Sequence, residues 1–324
     1  MTNYEAIESL RNQMLSKVIG QEDLVEKIII SLLAKGHILI EGLPGLAKTR
    51  AVKTLSSIID AKFSRIQFTP DLSTEDILGE ERVYEEDGKR IYKFHKGAIF
   101  GNIILADEIN RAPAKVQSAM LEAMEERQVS VLGQMLKLPE LFMVLATQNP
   151  IEQYGTYPLA QAQKDRFLLH TLVDYVKMDD EYQMLKLLQQ EHIEITDNIT
   201  KISQQYILNA QKEVANIKIP EDIGKYIVEL VFATRYPLRY SKQLSVMIDV
   251  GISPRGTLAL SQCSQAVAWL NQQTKVRVQD IRTVIHDVFR HRIVESSHTK
   301  DNGIKIDEIT DIVLENVPLP KSAL

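Results

Sequence analysis

Cysteine is almost missing from this sequence. Cys263 is the only one, so an internal disulfide and a thiolate metal cluster are both excluded, which fits a reducing compartment. Basic excess is missing too: 38 lysines and arginines face 43 aspartates and glutamates, for a net charge of -5. Such a chain has no global attraction for nucleic acid or an anionic membrane, although a local basic channel stays open. The seven histidines are scattered and form no H-x-x-x-H zinc pair. Long hydrophobic runs are also lacking. The run IIISLLAKGHILIEG breaks at Lys35, Gly36 and His37, too soon to span a bilayer. The opening MTNYEAIESLRNQ lacks the basic-then-apolar order of a signal peptide. A cytosolic protein is expected.

What is there is ordinary for a folded chain: 324 residues, 44% hydrophobic and 25% charged, enough for two domains with real cores. The first part alternates helical patterns with the short apolar runs HILIEG, FSRIQF, NIILADE, LFMVLATQN and FLLHTLVDY. Runs of that kind, spaced by helices, predict buried parallel strands of an α/β sheet. Beyond MDDEYQMLKLLQQ the β signal fades and helices take over. The expected division is therefore an α/β core over residues 1–190 and an all-α domain over 191–324. Two hairpins interrupt the core. In RVYEEDGKRIYKF, Asp87-Gly88 suits a tight primed turn; RQVSVLGQMLKLPELF alternates about Gly133. Solvated surface hairpins are the plain alternative for both. Val116, Met120 and Met124 fall at helical spacing after Pro113 and are expected in the core, as are Trp269 and Cys263.

The stretch EGLPGLAKTR nearly fits G-x-x-x-x-G-K-[ST], with Gly42 first, Lys48-Thr49 last, and Ala47 where the second glycine belongs. A P-loop points successive backbone N–H groups at phosphates and opens a helix there. HILI is the strand this requires, KTRAVKTLSSII the helix, and Gly45 after Pro44 supplies a left-handed turn. At position 47, where helical φ begins, a methyl group is tolerable. Alone, the match is open to coincidence; the order of the later segments argues against it. IILADE ends a strand at Asp107-Glu108, one carboxylate to hold Mg²⁺ with Thr49 and the next to orient a water. VLATQNP ends another at Asn149, which could hold that water or the γ-phosphate, or merely form a turn before Pro150.

These blocks resemble the MoxR-type AAA+ ATPases, and the resemblance covers most of the chain. GLPGLAKT is similar to the family's P-loop, and KGAIFGNIILADEINRAPAKVQSAMLEAMEERQVSVLG is the most specific block. ATQNPIEQYGTYPLAQAQKDRF and GISPRG resemble its sensor 1 and sensor 2 segments. The resemblance implies a P-loop AAA+ core, with a parallel sheet flanked by helices and two hairpin inserts, and a helical lid. It implies nucleotide contacts from Gly42, Leu43, Pro44, Gly45, Leu46, Ala47, Lys48, Thr49 and Arg50, with Val18 and Ile19 beside adenine. Thr49 and Asp107 would hold Mg²⁺, Glu108 would be the base, and Asn149 sensor 1. Arg166 would be an arginine finger offered to a neighbour's ATP, and Arg255 the sensor 2 arginine, acting in its own subunit or across the interface. Ala160-Gln161 and Lys164 depart from the family's usual proline-glutamate and leucine, removing an acidic group at the expected interface.

The implied function is ATP hydrolysis with Mg²⁺ by a homo-oligomeric ring, a hexamer, that remodels a protein client. A partner with a von Willebrand A domain is part of that expectation; a membrane is not. Alternatives are the motor subunit of a metal chelatase, a helicase-like nucleic-acid motor, or a non-hydrolysing nucleotide switch. Lys89, Arg90 and Lys93 give one hairpin some basic character, but Lys137 is nearly alone in the other, which weighs against nucleic acid.

Overall fold

In the computed structural model the described residues are 1–43, 45–46, 48–86, 89–131, 133–150, 156–193 and 199–321. The expectations for Pro44, Ala47 and the Asp87-Gly88 turn lie outside them. Two compact units are formed, and neither is one continuous stretch. The first comprises Met1–Ile28, His37–Leu159 and Thr171–Leu208; the second comprises Ile29–Gly36, Ala160–His170 and Asn209–Leu324.

The five apolar runs become the strands β1 (Ile38–Gly42), β2 (Phe63–Gln67), β3 (Ile103–Asp107), β4 (Met143–Gln148) and β5 (Leu169–Val173). They form one sheet in the order β5-β1-β4-β3-β2. The pairs β1–β4, β4–β3 and β3–β2 all run parallel. Burial follows position. Every residue of β3 is buried, as the continuous apolar sequence of a central strand requires. At the edge, β2 buries only Ile66, so its polar side chains are free for other work.

Three helices of the first unit matter most: α1 (Asn3–Lys17), α2 (Lys48–Ile58) and α3 (Ala114–Glu126). Thr2 caps α1, accepting from Glu5 N–H while Glu5 reaches back to Thr2 N–H, a capping box. The start of α3 comes directly after Pro113, and the helix buries Val116, Met120 and Met124 among others, the stripe expected from the sequence. His37 ties these layers together ahead of β1. Its Nδ1 accepts from Val144 N–H at 3.0 Å and its Nε2 faces the Met124 carbonyl at 3.2 Å. Burial, reinforced by the nearby Arg127 charge, pushes its pKa down to about 4, so the ring is neutral near pH 7.

Both inserts are antiparallel hairpins: Gly79–Glu86 pairs with Lys89–Lys96, and Gln128–Val131 with Gln134–Lys137. Gly133 turns the second with φ of 75°.

The second unit is mainly helical, with α4 (Glu221–Arg235), α5 (Pro254–Leu270), α6 (Val278–Phe289) and α7 (Ile306–Asn316). Ser253 caps α5 and Pro254 opens it, the order that first-turn geometry favours. Cys263 and Trp269 are buried along α5, and the Trp269 indole donates to Glu213 at 3.0 Å. The region is not purely helical, as the sequence had suggested. Ile248–Val250 pairs antiparallel with Val294–Glu295, a strand pair too short to leave a periodic signal. Among the described residues, no helix is long and apolar enough to cross a membrane.

Candidate functional site

The carboxyl ends of β1, β2, β3 and β4 open onto a cleft of about 340 Å³ in the first unit. In an open α/β sheet this is where ligands bind, because loops and helix starts converge there. Gly45, Leu46, Lys48, Thr49, Arg50, Asp107, Glu108 and Asn149 all line it. Residues far apart in sequence are thus brought to one place. The chain turns at Gly45 with φ of 85°, in the left-handed region that glycine enters at little cost.

Lys48 is the first residue of α2, so its side chain leans back toward the strand ends. Its Nζ donates to the Gly42 carbonyl, at the end of β1, and to the Gln148 carbonyl, at the end of β4, at 3.3 Å. Partial burial pushes its pKa down, while Asp107, Glu108 and Glu41 pull it back up. Arg50, two residues on, donates to the Lys17 carbonyl at 2.6 Å. That bond fixes the last turn of α1 beside α2. Val18 and Ile19 come next there, Val18 buried and Ile19 half-buried, outside the cleft's lining. Their loop is held by Gln21, which donates to the Asp174 carbonyl at 2.9 Å.

The paired carboxylates are organised by a residue the motifs did not reveal. Thr147 donates its hydroxyl to Asp107 Oδ1 at 2.7 Å and accepts from Glu108 N–H at 2.9 Å. Buried in β4, it therefore sets both acids at once. Glu108 has φ 58° and ψ 50°, a left-handed backbone that costs a residue with a side chain about 1 kcal/mol or more. The effect is to turn the chain off the strand sharply. The Glu108 carboxylate is then held by Arg111 at 2.9 Å and Gln67 at 3.3 Å. Arg65 donates to Asp107 Oδ2 at 2.7 Å and to Gln67 Oε1 at 2.7 Å. Arg65 and Gln67 lie two apart on β2, hence on one face, with Gln67 in register with Asp107. That period-two spacing at a strand end was the available signal for them.

The donor set suits a hard divalent cation: the Asp107 carboxylate and the Thr49 hydroxyl are oxygen ligands on one cleft. Asp107 is already ion-paired with Arg65. The N-terminus of α2 has no acidic residue in its first turn, so its dipole suits an anion.

Arg166 and Arg255 belong to the second unit. Arg166 is half-buried in a turn after the short helix Gln161–Lys164, and Arg255 is exposed in the first turn of α5. Ala160 and Gln161 open that short helix, and Gln161 donates to the His291 and Arg292 carbonyls at 2.9 and 3.1 Å.

Comparison with known proteins agrees with this architecture. Residues 37–169 match the model of an ATPase family associated with various cellular activities (AAA), and residues 242–312 match an AAA lid domain. A protein named Chaperone MoxR1 from Mycobacterium tuberculosis is 40% identical over 94% of this chain and 80% of its own length. A protein named MoxR from Paracoccus denitrificans is 27% identical over 94% of this chain and 93% of its own. The crystal structure of a candidate ATPase from Cytophaga hutchinsonii superposes with a TM-score of 0.91 at 37% identity, covering 98% of this chain and 96% of that one. The chain therefore belongs to the MoxR family of AAA+ ATPases.

Proposed function

We propose that the chain binds ATP with Mg²⁺ in the cleft and hydrolyses it, using the released energy to remodel a protein client as a chaperone does. The observation that carries this reading is the convergence of Asp107-Glu108 and Asn149, from separate strand ends, on Lys48 at one helix N-terminus. Lys48 and the N–H groups opening α2 bind the phosphates as cation and donors. Gly42, Leu43 and Leu46 supply backbone to the cradle, and Val18 and Ile19 flank the base. Thr49 and Asp107 hold the metal, which neutralises charge on the phosphates when bound.

Glu108 orients the attacking water and takes its proton at a carboxylate oxygen. Arg111 and Gln67 hold Oε2, which leaves Oε1 for that work. Asn149 holds the water or the phosphoryl oxygen from the neighbouring strand end. Arg166 is offered to the ATP of a neighbouring copy, so full turnover needs a ring, for which we propose a hexamer. Arg255 reports the nucleotide to the helical region, whose boundary with the core we place near residue 190. A protein with a von Willebrand A domain is the partner we would seek first.

The test is Glu108→Gln. A loss of turnover with ATP binding retained supports the reading, and clients retained by the ATP-loaded variant can then be identified. Unchanged hydrolysis would overturn the assigned chemistry.

A further inference from the structure

Arg292 is a cation with almost no solvent. Its side chain is 2% exposed, and a buried guanidinium persists only where it is paired and its donors are used. Nε donates to Asp165 Oδ1 at 2.9 Å; Nη1 donates to the Leu168 and Val288 carbonyls at 3.1 and 2.6 Å. Nη2 donates to the carbonyls of Phe167 and Asp165. Nearly every bond thus falls on residues 165–168, the turn that carries Arg166. His291 adds its Nε2 to the Phe167 carbonyl at 3.0 Å, and Arg290 donates to the His170 carbonyl.

The second oxygen of Asp165 leads elsewhere. Oδ2 accepts from Ser253 Oγ at 2.7 Å, and the same Oγ accepts from Arg255 N–H at 3.1 Å as the cap of α5. A third contact closes the arrangement. A Cβ at Gly256 would lie 3.1 Å from Arg292 Cδ and 2.1 Å from Ile252 Cγ2, so the stem of Arg292 passes directly beneath the first turn of α5. One buried cation is therefore clamped to the turn of Arg166 and to the helix start of Arg255. All of these residues lie in the second unit.

We infer that the chain Arg292–Asp165–Ser253 positions Arg166 and Arg255 as a single body. A shift of the α5 start is then transmitted to Arg166 through Asp165, and neither arginine moves alone. Arg292, Asp165 and Ser253 are positioning residues; they act on turnover only through the two arginines. This rests on the proposed roles of Arg166 and Arg255.

Steady-state ATP hydrolysis of the full-length protein, at concentrations that saturate its assembly, tests it. Asp165→Asn keeps the shape and removes the charge. Ser253→Gly removes the hydroxyl while remaining an acceptable helix cap. Ser253→Thr restores the hydroxyl. The expected result is a fall in kcat of about tenfold or more for Asp165→Asn and Ser253→Gly, with KM for ATP moved less than about twofold. Ser253→Thr recovers the rate. Adding Asp165→Asn to Arg166→Ala costs less than it does in the wild type, since part of its effect passes through Arg166.

Wild-type kcat in the folded Ser253→Gly variant, alongside an impaired Arg166→Ala, would overturn the coupling alone. Multiplying losses in the double variant would do the same. Full activity in Arg166→Ala would instead overturn the reading beneath it. Should Asp165→Asn fail to fold, the Ser253 pair decides.

Discussion

In the first unit, the groups of the cleft stand at the ends of parallel strands; in the second, Arg166 and Arg255 stand on a turn and a helix start. The strand ends inherit their positions from ladder register. Gln67 faces Asp107 across one ladder, and the neighbouring ladder carries β4 alongside β3, so one hydroxyl, that of Thr147, is enough to finish the arrangement. A turn has no such ladder. Its position comes from a buried guanidinium that donates to the carbonyls of Leu168 and Phe167. The same kind of precision is thus reached by backbone geometry in one region and by a single side chain in the other. The second solution is the more vulnerable to one substitution.

That contrast fails most visibly if the turn is stripped of Arg166, its half-buried arginine, without consequence. Arg166→Ala should lower kcat by about 10³-fold or more, the range seen where an arginine stabilises a transferring phosphoryl group. Nucleotide affinity measured on the isolated subunit should stay unchanged. An equal loss of affinity would place Arg166 in ground-state binding instead.

Thr147→Val asks the matching question of the strand ends. It leaves Glu108 N–H without its acceptor and Asp107 Oδ1 without its donor. Turnover should fall by about 10²-fold through misplaced carboxylates, and stability by about 1–3 kcal/mol from buried groups left unsatisfied. Denaturant titration beside the kinetic assay separates the two. A variant losing stability but not kcat would show that the carboxylates hold their places without the hydroxyl.

Gly256→Ala probes the second unit without touching a charge. The added methyl meets Ile252 and the Arg292 stem, and overpacking of this kind costs about 1–3 kcal/mol. An unchanged unfolding midpoint would mean that the first turn of α5 yields easily.

A gentler effect is graded with pH. His37 has its pKa pushed down to about 4 in the folded chain, from an ordinary 6.5. The unfolded chain therefore takes up a proton below pH 6.5 that the folded one refuses until about pH 4. Stability is fully present above pH 6.5 and declines as pH falls across that window, by about 1.4 kcal/mol per pH unit from this group. His291, also buried and shifted down, acts in the same direction. His37→Asn should flatten the slope of stability against pH, and an unaltered slope would remove His37 as its source.

Much of the first unit could be read from residues in order. Five apolar runs became five strands within a residue or two, and Lys48, Asp107 and Glu108 announced themselves by motif. Both hairpins were also visible, from the alternation of their paired strands. Other features were invisible for a physical reason. Thr147 looks like any β-branched residue in a strand until β4 is laid against β3. Arg292 and Asp165 are 127 residues apart, and no local pattern marks either as the other's partner. The grouping of Ala160–His170 with the second unit also depends on packing alone. Short-range order is written in periodicity; the pairing of distant polar groups is written only in the folded chain.

Nucleotide binding at the α2 N-terminus underlies every role assigned to the cleft, and titration calorimetry with ATP and Mg²⁺, run beside Lys48→Ala, measures it. Saturable uptake by the wild type and its loss in the variant are expected, with both proteins equally folded by circular dichroism. No heat of binding in the wild type, or an affinity untouched by removing the Lys48 amine, would contradict that assignment.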